Sequence, residues 1–326
     1  MRAVVAGEGT TAASLAVGEA AVPEPGPGQV LIRVAYAALN PMDAHALAGR
    51  IRWGVPARPF VLGYEYAGRV VGVGDGVADE LVGERVRVAG QWGGLADYAV
   101  ADADRLLPIP ARMGWPLGTV YASTTATAWH ALHTVGRLAK GELVVVHSAA
   151  GPVGVMATQI AREAGATVVG LVGSAEKLGW AAAFGADLLV DYRRDADWPS
   201  RVRAWAGRGA DLVVDGVQGP GAAKNLDALA PFGRVVYLGA AAGPAPDVPV
   251  ATLIAKSVSV AGMVVYDAIA RTGGREMQRL QRRLLSGRWV YPLNPPFGLD
   301  DAAAAFAAFE RRELRGRSIF RVGGEI

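Results

Sequence analysis

From Leu143 onward the chain alternates short apolar runs with stretches of helical period, and this alternation constrains the fold more than any other feature. LVVVHS (143–148) reads as a buried strand, and VGVMATQIAREAG (153–165) places apolar residues at helical spacing and stops at Gly165. TVVGLV (167–172), DLLVDY (187–192), DLVVDGV (211–217) and GRVVYLGA (233–240) are further strands, with helices expected over 175–185 and 222–230. VSVAGMVV (258–265) is a sixth strand candidate. Strands apolar throughout and separated by helices predict a doubly wound parallel sheet with helices on both faces.

The first of these strands runs into HSAAGPVG (147–154). A dinucleotide turn needs a tight bend, a close backbone approach to the pyrophosphate, and a helix N-terminus aimed at it. Ala149, Gly151 and Gly154 stand at the three glycine positions of G-x-G-x-x-G. Gly154 would let the helix pack on the strand, and Gly151 would let the pyrophosphate approach. Pro152 falls at the helix start, where proline is tolerated but removes one N–H donor. The cofactor contacts expected along the turn are Ala149, Gly151, Pro152, Val153 and Gly154. An ordinary strand–helix turn is the alternative.

The tip of the second strand indicates which dinucleotide. An NAD site usually carries an acid there to hold the ribose 2′-hydroxyl. Here the strand ends LVGSAEKLG, with Ser174 at the tip and Lys177 one turn on, and Tyr192 and Arg193 end the next strand. A hydroxyl, an ammonium and a guanidinium suit a 2′-phosphate, which predicts NADPH. Ser174 as an N-cap and Lys177 as a solvated helix residue is the plainer reading, and both roles can coexist.

The first 120 or so residues read differently. Short β-rich runs, QVLIRVAYAAL (29–39), EYAGRVVGVG (65–74) and the half-exposed pattern ERVRVAG (84–90), are spaced by Gly- and Pro-rich turns, as in a compact barrel. The tail from Pro292 has a helix over 300–312 and a final strand, SIFRVG, expected to return to this domain. A length of 326 residues accommodates two domains. The net charge of +3 comes from scattered basic residues, so no nucleic-acid partner is expected. The absence of cysteine removes disulfides, thiolate nucleophiles and cysteine-ligated zinc. With neither a signal-peptide core nor a membrane-length apolar run, a soluble cytoplasmic protein is the expectation.

Six motifs in order carry a family resemblance: PGPGQVLIRVAYAALNPMDAHALAG, LGYEYAGRVVGVG, VGERVRV, GGLADYAV, TATAWHAL and HSAAGPVG, closed by GRSIF. In these the chain resembles the medium-chain dehydrogenase/reductase superfamily, and within it the zinc-free quinone oxidoreductases and enoyl reductases. The resemblance implies a GroES-like β-barrel catalytic domain over 1–121 and 291–326. It implies a Rossmann NADPH-binding domain over 122–290, with the active site in the cleft between the two. Tyr64 stands where the zinc-dependent branch places a ligand histidine, so no metal is expected. His130 and His133, spaced i, i+3, do not make a site, and packing is the expected role of His147.

The resemblance also implies the chemistry. Hydride passes from NADPH to the β-carbon of a quinone or another α,β-unsaturated carbonyl, whose oxygen needs a hydrogen-bond donor as charge develops on it. Asn40 and Asp43 match the family's N-x-x-D stretch; Asn40 would donate to a carbonyl or hold the cofactor, and Asp43 would act there or organise the loop. Tyr64 would donate to the substrate or pack under the cofactor. Thr127, Gly239, Ala240, Met263, Val265 and Arg317 match cofactor contacts, Arg317 as a base reaching a phosphate.

Some enoyl reductases carry a donor tyrosine in the loop that here reads GRIRWGVPARPF (49–60), which has Trp53 and Phe60 but no tyrosine. An indole cannot take that role, though Trp53 and Phe60 could line an aromatic pocket. This leaves room for a specialised natural-product tailoring enzyme, an enoyl reductase or a cyclase with little net redox, and for a non-enzymatic NADPH-binding protein. A homodimer is expected by pairing of Rossmann edge strands, with VSVAGMVV as the edge.

Overall fold

The structure is a computed structural model that describes residues 1–323. The chain forms two compact units, Met1–Tyr121 together with the C-terminal segment from Leu293, and Ala122–Pro292.

The first unit is built from short strands: β1 (Arg2–Ala6), β2 (Val17–Glu19), β3 (Gln29–Ala38), β4 (Phe60–Val61), β5 (Glu65–Val73), β6 (Arg85–Ala89), β7 (Tyr98–Asp102) and β8 (Leu107–Pro108). β2, β1 and β4 form a small sheet, while β3 pairs antiparallel with β5 and β7, and β5 with β6. Alternation along β3 sends Val30, Ile32 and Val34 into a core shared with Val4, Phe60, Leu62 and Tyr66. Each large side chain so buried contributes about 1.5–3 kcal/mol. A helix, α1 (Pro41–Leu47), follows β3 directly: Pro41 is its first residue and Asn40 its N-cap.

The second unit opens on the end of α2 (Trp115–Trp129) and holds six parallel strands: β9 (Leu143–Val146), β10 (Thr167–Val172), β11 (Leu188–Asp191), β12 (Ala210–Asp215), β13 (Leu229–Tyr237) and β14 (Ser259–Gly262). α3 (Pro152–Glu163) and α4 (Glu176–Ala182) connect the first three. The strand order is β11-β10-β9-β12-β13-β14, so the order reverses between β9 and β12. In doubly wound sheets, ligands bind at the carboxyl ends of the strands at such a reversal. The chain then returns to the first unit, where β15 (Phe297–Gly298) pairs with β16 (Ile319–Arg321) and β16 with β3.

Two expectations are corrected in detail. The sixth strand covers only 259–262 of the expected 258–265, because its partner β13 ends at Tyr237, opposite Gly262. Beyond that point Met263 N–H still donates to Tyr237 C=O, and Val265 already begins a helix. β6 is not half-exposed, because Arg87 is buried with its neighbours Val86 and Val88. Among the described residues no helix is long and apolar enough to cross a membrane.

Candidate active site

The turn after β9 is held by its own backbone. Ser148 takes a left-handed conformation with φ 51°, and Gly151 N–H donates to Ser148 C=O at 2.7 Å. A Cβ on Gly154 would lie 2.2 Å from Ser148 O, and one on Gly151 would lie 2.8 Å from Ser148 Oγ. Gly154 is therefore demanded by the turn itself, before any ligand enters, because only backbone atoms crowd it, whereas the atom nearest a Cβ on Gly151 is a hydroxyl that can rotate away. The alanine in place of the first glycine is accommodated from across the sheet. Ala149 N–H donates to Leu171 C=O of β10, and its methyl faces Gly170, where a Cβ would come within 2.8 Å of it. No glycine pattern within the turn reveals that pairing.

α3 starts directly from this turn. Its hydrogen-bond ladder begins with Val155 N–H to Gly151 C=O at 2.9 Å, so the N–H groups of Val153 and Gly154 lie ahead of it, in the first turn. With Pro152 lacking an N–H, these two donors and the positive end of the helix form the anion-binding element. The residues fit a dinucleotide pyrophosphate, because the Val153 and Gly154 N–H groups are left ahead of the helix ladder at the carboxyl end of β9, beside the strand-order reversal.

At the tip of β10, Gly173 lies against Tyr192, whose hydroxyl would be 2.9 Å from a Cβ there. Lys177 N–H donates to Ser174 C=O at 3.1 Å, and Ala175 rather than Ser174 is the N-cap of α4. Thr127, in α2, donates its hydroxyl to Ser123 C=O at 2.7 Å and keeps its lone pairs for a donor. Gly239 and Ala240 follow β13, with only Gly216 O, at 3.7 Å, near a Cβ at 239. His147 packs as expected: its Nε2 is 2.7 Å from Asn225 Oδ1, and Asn225 donates in turn to Asp215. His130 is buried between Glu276 and Thr134. Among the described residues no group of three or more His, Cys, Asp or Glu could hold a metal.

In the first unit, Asn40 and Asp43 are tied into the loop before β5. Asp43 is fully buried and accepts from Gly63 N–H at 2.9 Å, Tyr64 N–H at 3.0 Å and Asn40 N–H at 3.0 Å. It thus joins the start of α1 to the start of β5, which is the loop-organising role. Gly63 makes this close approach with φ 101°, a conformation that favours glycine. Burial pushes the Asp43 carboxyl up to about 6, against the pull of the three N–H donors and the Arg317 cation. The folded chain therefore takes up a proton here more readily than the unfolded chain. Stability from this group is full below 3.8 and falls as pH rises to about 6, by about 3 kcal/mol in all. Asp43→Asn removes this linkage, so urea unfolding of the two proteins across that window will differ in pH slope by close to one proton.

The side chain of Asn40 is also committed. Its Nδ2 donates to Glu65 at 3.1 Å, and its Oδ1 accepts from Arg317 Nη2 at 2.9 Å. Glu65, buried at the start of β5, also accepts from Arg317 and, at 2.6 Å, from Arg87. Arg317 is held inside the first unit. Its guanidinium is buried against Glu65, Asn40 and the carbonyl of Leu39, so it is an internal counter-ion. The physical reason is Glu65, a buried carboxylate that requires cations. Glu65 and Arg87 escaped notice because charges in strands read as solvent-facing. The signal was their place in otherwise apolar runs, EYAGRVVGV and VRVA.

Tyr64 is half-buried, its ring 4.9 Å from that of Trp92, and burial pushes its phenol up, so it stays protonated and able to donate. Phe60 packs edge-on to the same indole at 5.2 Å and belongs to the core. Trp92 also donates to Gly54 C=O at 2.6 Å, anchoring the loop that carries Trp53, which is 80% exposed.

Comparison with known proteins agrees with this architecture. The alcohol dehydrogenase GroES-like domain family matches residues 26–111, and the zinc-binding dehydrogenase family matches residues 152–282. The quinone oxidoreductase of Sus scrofa is 30% identical over 293 residues, covering 88% of this chain and 87% of the relative. The quinone oxidoreductase of Escherichia coli complexed with NADPH superposes with a TM-score of 0.91 at 25% identity, over 98% of this chain and 100% of that one. A mycobacterial protein complexed with NADPH superposes with a TM-score of 0.89 at 29% identity, again over 98% and 100%. With its GroES-like domain, its six-stranded parallel sheet and these relatives, the chain belongs to the medium-chain dehydrogenase/reductase superfamily, in its quinone oxidoreductase-like branch.

Proposed function

We propose that this protein is a zinc-independent, NADPH-dependent oxidoreductase that delivers hydride to a quinone or another α,β-unsaturated carbonyl. The observation that carries the reading is the phosphate cradle at Ala149–Gly154, set at the strand-order reversal of a parallel sheet. The N–H groups of Val153 and Gly154 would hold the pyrophosphate, and Ser174, Lys177 and Tyr192 the 2′-phosphate. Thr127, Gly239, Ala240, Met263 and Val265 would border the rest of the cofactor. Bound NADPH supplies the hydride. Asn40 donates a hydrogen bond to the acceptor oxygen as charge grows there, Tyr64 stands as a second donor, and Asp43 holds their loop in place. The test is NADPH oxidation against a panel of quinones, enones and enoyl thioesters. Turnover of any one class supports the reading, and NADPH binding with no turnover across the panel would overturn it.

The choice of NADPH over NADH is separately testable. Lys177→Ala is expected to weaken NADPH binding about tenfold while leaving NADH binding within twofold, as the loss of one partly solvated charge-assisted contact does. Equal weakening of both cofactors in calorimetric titration would place Lys177 away from the 2′-phosphate.

A second reading, a tailoring enzyme with little net redox, is favoured by one observation: the loop over 49–60, in which some enoyl reductases carry a donor tyrosine, has an exposed Trp53 and no tyrosine. The two readings differ in whether label from the cofactor enters the product.

The homodimer is proposed on the same footing. Among the described residues β14 pairs on one side only, with β13, and Val250, Ile254, Val264 and Tyr266, which flank it in sequence, are 67, 74, 55 and 42% exposed. Light scattering is expected to give twice the 33.8 kDa chain mass, and Ile254→Asp to lower it towards one chain.

A further inference from the structure

We infer that Glu65 and Arg317 are positioning residues that fix the Asn40 amide as a hydrogen-bond donor and deny it the role of acceptor. The inference rests on the reading of Asn40 as a site residue and adds what that residue can recognise.

An asparagine can present either end of its amide, and the difference decides what it binds. Here Oδ1 is taken by Arg317 Nη2 at 2.9 Å and one Nδ2–H is taken by Glu65 Oε2 at 3.1 Å. Rotating the amide by half a turn would set its NH2 against the guanidinium and its oxygen against the carboxylate. Both partners are themselves pinned. Arg317 bonds Glu65 and the Leu39 carbonyl, and Glu65 also accepts from Arg87, whose Nε donates to Thr119 C=O at 3.2 Å. The Glu65 and Arg317 side chains are only 2 and 6% exposed, so water cannot readily replace either contact. The second lone pair of Oδ1 is turned to the start of α1, where the capping box sets the side chain against the Asp43 N–H, so what Asn40, itself half-buried, has left to offer is its second Nδ2–H. Its ligand must therefore be an acceptor atom, as a carbonyl oxygen is. A ligand N–H donor is selected against. The ion cluster acts on the ligand only through Asn40.

The test has two parts. The chain has three asparagines, 40, 225 and 294, so selective 15N-asparagine labelling gives three side-chain NH2 pairs, and the Asn40 pair is assigned by its loss in Asn40→Ala. In the wild-type protein without cofactor, the two Asn40 protons should stay distinct and flip slowly. In Arg317→Met they should interchange rapidly, and in Arg317→Lys, which keeps a cation donor, they should be partly restored. An Asn40 pair that flips in the wild type as freely as a solvent-exposed amide would overturn the inference, even if neither variant folds.

The second part is a double-mutant cycle with a turned-over acceptor. Arg317→Met should lower kcat about tenfold, with the KM for NADPH within twofold, as misplacement of a donor does. In an Asn40→Ala background the same change should cost less than twofold. An equal loss in both backgrounds would mean that Arg317 acts only on the fold and would overturn the inference. A rigid Asn40 amide in a protein that turns over no acceptor would instead overturn the proposed function and leave the positioning intact.

Discussion

Gly154→Val is expected to abolish measurable NADPH binding and to destabilise the protein by about 1–3 kcal/mol. The first Cβ alone would sit 2.2 Å from Ser148 O, 2.8 Å from Ser148 C and 2.9 Å from Ala149 Cα. All three are backbone atoms and none can swing away as the end of a flexible side chain would. The only relief is to push α3 off the turn, which withdraws the Val153 and Gly154 N–H groups from the place where a pyrophosphate meets them. Binding should therefore suffer far more than stability, and calorimetric titration beside denaturant unfolding separates the two. Gly179→Ala is the control. It lies in α4 with nothing within 4 Å of its Cβ position, and it should leave NADPH binding unchanged while stabilising by about 0.5–1 kcal/mol. Tight NADPH binding by a folded Gly154→Val protein would remove this turn from the cofactor site.

Asn40→Ala is expected to lower kcat by about 100- to 1000-fold, the usual effect of deleting one donor to a developing oxyanion. The loss should fall on kcat and kcat/KM alike, because the bond strengthens only as hydride arrives and charge collects on the acceptor oxygen. NADPH affinity should change little. The size of the effect follows from the preorganisation of the amide. Held by Arg317 at 2.9 Å and Glu65 at 3.1 Å, it needs no reorganisation at the moment of reaction. Asn40→Asp should be as poor as Asn40→Ala, since it removes the donor and sets a second carboxylate beside Glu65. A loss confined to the KM for NADPH would show instead that Asn40 serves the cofactor.

Much of this was legible in the chain, and what was not has physical causes. The parallel sheet could be read because a strand buried on both faces must be apolar throughout, as LVVV and TVVGLV are. The position of the phosphate turn followed from strand and helix periods on either side of it. The tolerance for Ala149 could not be read, because the compensating glycine, Gly170, is distant in sequence and adjacent only through the β9–β10 pairing. The limit of the sixth strand was likewise set by its neighbour β13 rather than by its own apolar run. In the first unit, Asn40 and Asp43 were visible as a motif, but the carboxylate that orients Asn40 was not. Glu65 and Arg317 lie 252 positions apart, and a charge in a strand gives no sign of a buried partner so remote. Arg317 was therefore given to the cofactor from its place beside the final strand, and its burial beside Glu65 was not foreseen.

The central claim, that the protein moves hydride from NADPH to a conjugated carbonyl, is tested most directly by isotope transfer. The wild-type enzyme is supplied with NADPH deuterated at C4 on either face, and the product of an enone acceptor is analysed by mass spectrometry and NMR. The account predicts one deuterium at the β-carbon of the product from one of the two labelled cofactors and none from the other. Product formed without deuterium from either would contradict it, and would favour a transformation with little net redox.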